Sequence, residues 1–103
     1  MLGFRAFKMS TNKNDANKAA VLAALERVRA AIKKGADSPA ATAALAQCDR
    51  LEQAISQFHA EGLRFAAFTL FRMVQSSGTV FNEPVHSATR DLKSELETAG
   101  YPH

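Results

Sequence analysis

The chain is poor in residues that staple or interrupt a fold. It has one cysteine and three prolines in 103 residues. A lone thiol, Cys48, excludes an internal disulfide and fits a reducing compartment. Set inside a helical pattern, it reads as a small hydrophobe. The prolines fall where helices begin or have ended: Pro39, Pro84 and Pro102. No stretch alternates apolar and polar residues as a half-buried strand would, which argues against a sheet. No apolar run is long enough to span a bilayer, so membrane insertion is not expected. The sequence has no phosphate-cradling glycine loop and no Gly-x-Ser-x-Gly elbow. The first nine residues carry Arg5 and Lys8 and lack the apolar run of a signal peptide. The expectation is therefore a cytoplasmic protein, with either Met1 or Met9 serving as its start.

What is present is alanine and phenylalanine. Apolar residues make up 47 % of the chain, and 20 of them are Ala. Five of the seven Phe (Phe58, Phe65, Phe68, Phe71 and Phe81) lie in one short window. Periodicity predicts an all-α fold, an up-down antiparallel bundle of three to four helices. Residues 14–103 form the bundle and residues 1–13 a flexible basic N-terminal arm. Helix 1 is expected from about Asp15 to Lys34, with Val21, Leu25, Val28 and Ile32 on one stripe that Leu22 widens. Ser38-Pro39 is a strong start signal for helix 2. Its seam is Ala41, Ala44, Cys48, Leu51, Ile55 and Phe58.

Past Gly62 that seam fails, and a second stripe begins at Leu63, Ala67, Leu70 and Val74. Either a turn at Gly62 starts a new helix, or one long helix changes partners there. Continuity is slightly favoured, because a helical Gly costs only ~1 kcal/mol relative to Ala. Ser76-Ser77-Gly78-Thr79 is a stop. Val80 and Phe81 are expected to plug an end of the core. Asn82 should cap a last helix carrying Val85, Ala88, Leu92, Leu96 and Ala99, which ends at Gly100.

Residues 63–74 have no polar face, and a helix apolar all round is buried all round. This segment is expected to be the central helix or the seam of a homodimer, intertwined or side by side. A domain this small buries only ~60–65 % of its unfolded surface, so its core gains from dimerisation. The candidate interface residues are Phe58, Phe65, Phe68, Leu70, Phe71, Val74 and Phe81.

Charge is uneven. Residues 1–35 carry a net +6 and residues 36–103 a net −3, within an overall +3. The plain reading is solvated faces with basic helix 1 beside the acidic last helix. The functional reading is a surface for an anionic partner. Candidate anion-binding residues are Arg64 and Arg72, unusual within an apolar segment, and Arg27, Lys33 and Lys34 on helix 1. Glu83 and His86 have the Glu-x-x-His spacing of di-iron bundles. Such sites need a second motif and two more Glu, so neither a metal nor another cofactor is expected.

These features favour a non-enzymatic helical interaction module of the adaptor, chaperone-like or regulatory kind. It would self-associate and bind a protein partner. One alternative is a small basic nucleic-acid-binding protein using the first third of the chain. Another is a small helical enzyme with an arginine-lined site at a dimer interface.

Overall fold

The computed structural model describes residues 3–35, 37–76 and 80–101, with side chains from Asn17 onward. Four helices account for most of them: α1 (Gly3–Lys34), α2 (Pro39–Gln57), α3 (Ala60–Gln75) and α4 (Glu83–Ala99). Helix α1 packs against α2 and α4, α2 packs against α3, and α3 meets α4 only lightly. The helices thus form a ring in which α1 and α3 lie diagonally opposite.

Each helix contributes one stripe to a common core. Val21, Ala24, Leu25, Val28 and Ile32 come from α1, and Ala41, Ala44, Cys48, Leu51, Ala54 and Ile55 from α2. Leu63, Ala66, Ala67, Leu70 and Val74 come from α3, and Val85, Leu92 and Leu96 from α4. These are the predicted stripes with Ala24, Ala54 and Ala66 added, but Phe58 of the helix 2 seam is 65 % exposed and Ala88 and Ala99 of the last helix are only half-buried. Thr89 is also buried, and its hydroxyl donates to the Val85 carbonyl one turn back at 2.7 Å. Its polar group is thereby satisfied without leaving the helix.

Helix α1 begins at Gly3 rather than near Asp15. No proline or glycine interrupts residues 4–34, so the backbone can continue through Asn14 without a cap. The basic arm expected at residues 1–13 lies outside the described side chains.

Between α2 and α3 the favoured continuous helix is corrected. The chain breaks at Phe58-His59, four residues before Gly62. Phe58 adopts a left-handed conformation with φ 52°. Its N–H donates to the Ile55 carbonyl and that of His59 to the Ala54 carbonyl, at 3.2 and 2.9 Å. This is the paired 5→2 and 6→1 closure of a Schellman turn. His59 then caps α3, its Nδ1 accepting from the Gly62 N–H at 2.9 Å. Gly62 is needed for contact rather than for a turn. A Cβ there would lie 2.7 Å from His59 Nδ1.

Gly62→Ala should therefore displace the His59 ring and lose a cap worth ~1 kcal/mol. That loss cancels the ~1 kcal/mol alanine normally gains in a helix. Adding His59→Asp, whose shorter side chain can cap around the new methyl, should recover about 1 kcal/mol in urea unfolding.

The other ends follow sequence more closely. Ser38 Oγ accepts from the Ala41 N–H at 3.0 Å, with Pro39 opening α2. Gly100, at φ 78°, closes α4 with a second turn of the Schellman type. Asn82 precedes α4 as expected, but its side chain makes no capping bond. Its backbone carbonyl instead accepts from the Val85 and His86 N–H groups.

Candidate functional site

Helix α3 is not buried all round. Its inner face is built from Leu63, Ala66, Ala67, Leu70 and Val74, while Phe65 and Phe68 are 66 % and 54 % exposed. The reason is the placement of small residues. Ala66 and Ala67 let the α3 backbone approach its neighbours closely, leaving no room for a ring on that side. The aromatic residues occupy the outer arc, together with Arg64 and Arg72, which are also exposed. The central-helix expectation is thus corrected for the single chain.

The seven interface candidates divide accordingly. Leu70, Val74 and Phe81 are buried in the chain's own core, and Phe71 is half-buried against it. Phe65, Phe68 and Phe58 face solvent. Phe58 sits apart from the other two, edge-on to Tyr101 with ring centroids 5.6 Å apart. Lys18 approaches the same end of the bundle, its Nζ 3.4 Å from the Ser56 carbonyl. A cation there faces the negative end of α2.

The anion-binding candidates do not converge. Arg27, Lys33 and Lys34 are exposed on α1, and Arg64 and Arg72 lie on α3, across the ring. The Arg72 guanidinium stands 6.0 Å from the centre of the Phe68 ring, within cation–π range. Eight residues of helix separate Arg64 from Arg72, about 12 Å along the axis. One chain therefore does not bring them to a single small anion. Glu83 is ion-paired with Arg90 at 2.9 Å, and His86 lies three residues further along α4. Among the described residues no group of three or more His, Cys, Asp or Glu is placed to hold a metal. Nor is any described helix long and apolar enough to cross a membrane.

Sequence reasoning missed Arg29. It is 9 % exposed and gathers three carboxylates: Glu26 on α1, at 2.6 Å, and Asp49 and Glu52 on α2, with Asp49 at 2.8 Å. Burial works to lower the guanidinium pKa. The hydrogen bonds to Glu52, Asp49 and Glu26 outweigh it and hold the group above its ordinary value. The available signal was position: Arg29 follows Leu25 by one helical turn, beside the apolar stripe, with Glu26 three residues before it. Among the described side chains of α1, this is the one strongly engaged cation, and pairing removes Arg29 from the charge on offer to a partner.

Cys48 is fully buried, and burial pushes its thiol up to about 11 from 9.0. The thiolate needed for reaction is doubly disfavoured, by pKa and by access. Thiol-specific reagents should label Cys48 only at the rate of unfolding. The raised value favours the protonated, folded state. That contribution is complete below pH 9 and is lost as pH rises to about 11. The loss should be about 2–3 kcal/mol, and a Cys48→Ala variant unfolded in urea at pH 8 and pH 11 should lack it.

An open groove runs between α3 and α4. Its wider part, about 510 Å³, is lined by Phe68, Phe71, Arg72, Gln75, Lys93 and Glu97. It continues into a smaller pocket of about 220 Å³ that shares Phe71, Gln75 and Lys93 and adds Val74, His86, Thr89 and Arg90. The groove combines apolar side chains with charged ones. Arg72 lines it and Arg64 does not. Comparison with protein-family models, curated proteins and solved structures gives no match. The functional reading accordingly rests on the geometry of this chain.

Proposed function

We propose that this protein is a non-enzymatic helical interaction module, of adaptor, chaperone-like or regulatory type, that binds a protein partner and self-associates as a side-by-side homodimer. It does so as an up-down antiparallel bundle. Supporting that course, the start of the described α1 side chains lies near the ends of α2 and α4, and its end near their starts. The carrying observation is the outward pair Phe65 and Phe68, each more than half exposed on one face of α3. Fully burying a Phe side chain is worth roughly 1.5–3 kcal/mol. Two adjacent rings with this exposure favour a face that another surface covers. The break at Phe58-His59 disfavours an intertwined dimer, because it removes the long continuous α2–α3 helix such a dimer would be built on.

Light scattering over a tenfold concentration range tests the self-association. The expected mass is twice the 11.1 kDa of one chain. A concentration-independent mass of 11.1 kDa would remove the homodimer from the proposal.

A further inference from the structure

The geometry points to the α3–α4 groove as the docking site for an acidic amphipathic helix of a partner protein. This deepens the interaction-module reading by naming the partner's chemistry.

Three features support it. First, α3 and α4 are the loosest neighbouring pair in the ring, so the space between them is a furrow rather than a packed seam. From His86 to Glu97 it runs eleven residues along α4, about 16 Å or three helical turns. A helix laid into such a furrow is a recurrent recognition mode, read through anchors at i, i+3 or i+4 and i+7. Second, the groove has an apolar lining, Phe71 and Val74 inside and the exposed Phe68 at its edge. Third, Arg72 lines the groove from α3 and Lys93 lines it from α4. Arg90 and His86 continue the polar wall of α4, although Arg90 is already paired with Glu83. Among the described residues, Glu97 is the one carboxylate lining the groove. An occupant with apolar anchors on one face and Glu or Asp on both flanks matches this arrangement. One with Lys or Arg flanks meets like charge on both walls. The basic α1 surface of a second copy, with Arg27, Lys33 and Lys34, is a poor fit for the same reason.

The test titrates the full chain into two labelled model peptides with identical Leu and Phe spacing, one flanked by Glu and the other by Lys, and reads fluorescence anisotropy. A short DNA duplex serves as a third probe. Saturable binding of the Glu peptide is expected, weakening with salt and at least about tenfold tighter than the Lys peptide. The double variant Arg72→Glu, Lys93→Glu should reverse that preference. Both side chains are exposed, and circular dichroism confirms that the variant is folded. Phe71→Ala should weaken both peptides alike.

Four results would overturn the assignment. Equal binding of the two peptides would mean apolar adhesion alone. Absence of saturable Glu-peptide binding, or retention of wild-type preference in the double variant, would remove the groove. Tighter duplex than peptide binding, lost in the double variant, would reassign it to phosphate. Self-association is read separately. Phe65 does not line the groove, whereas Phe68 lies on both surfaces, so dimerisation and peptide binding compete. Phe65→Ser should abolish the dimer and bind the Glu peptide at least as tightly as wild type. Lys93→Glu alone, away from the α3 face, should leave the mass unchanged. The two readings can therefore fail independently.

Discussion

Phe81→Ala should lower the unfolding free energy by about 3–5 kcal/mol, while Val80→Ala next to it should change it by less than about 0.5 kcal/mol. Burial is what mainly separates the neighbours: Phe81 is 6 % exposed and Val80 is 56 % exposed. Phe81 sits in the α3–α4 connection and is driven back over the end of the bundle, near Ile32 of α1, Ala41 of α2 and Val85 of α4. It closes the point where three helix ends meet. A partly open pocket of about 80 Å³ already adjoins it. The site is lined by backbone termini and short side chains, which cannot follow a deleted ring inward. The cost should therefore include most of the cavity contribution as well as the lost transfer free energy. Urea denaturation of the two variants in parallel checks this. Equal, small losses would mean that the ring does not close the core.

Arg29→Glu should be worse tolerated than any neutral substitution at that position. It sets a fourth carboxylate among Glu26, Asp49 and Glu52, and the expected loss is about 3–5 kcal/mol, enough to unfold much of a marginal domain. Arg29→Met keeps the aliphatic stem against the core and removes the charge. The three carboxylates are each about half exposed or more and can rehydrate. The expected loss there is only about 1–2 kcal/mol after screening. Arg29→Lys should fall between Met and Arg, since one ammonium cannot reproduce a planar fork that bonds three acids. Denaturation in low and high salt separates the terms. The Glu variant should recover partly as salt screens the repulsion, and the Met variant should barely respond. A Glu variant as stable as the Met variant would show that the cluster does not clamp α1 to α2.

The stripes were legible because they obey the simplest rule: a helix that buries one face repeats its apolar residues every three to four positions. Val21 to Ile32, Ala41 to Ile55, Leu63 to Val74 and Val85 to Leu96 were all readable in this way. The break between α2 and α3 was not, because Phe58 is a poor advertisement for a left-handed residue. The nearest glycine, Gly62, drew the reading four residues downstream. The outward face of α3 was hidden by the same arithmetic that located its inner stripe. Hydropathy treats Ala and Phe alike as apolar. What decides their sides is size: Ala66 and Ala67 fit against neighbouring backbone, and Phe65 and Phe68 do not. Arg29 escaped notice because its meaning lies in Asp49 and Glu52, some twenty residues away. Only packing of α1 on α2 brings those charges together.

The decisive point is whether a second copy covers the exposed aromatic face of α3. The most direct measurement is the urea midpoint of the wild-type chain and of a Phe65→Ser, Phe68→Ser variant, each at protein concentrations differing a hundredfold. Folding coupled to association raises the midpoint with concentration, by mass action. The wild-type midpoint should rise with concentration, and that of the variant should stay constant at a lower value. A wild-type midpoint independent of concentration, with a variant as stable as or more stable than wild type, would contradict the account. It would leave Phe65 and Phe68 as solvent-facing residues of a monomer.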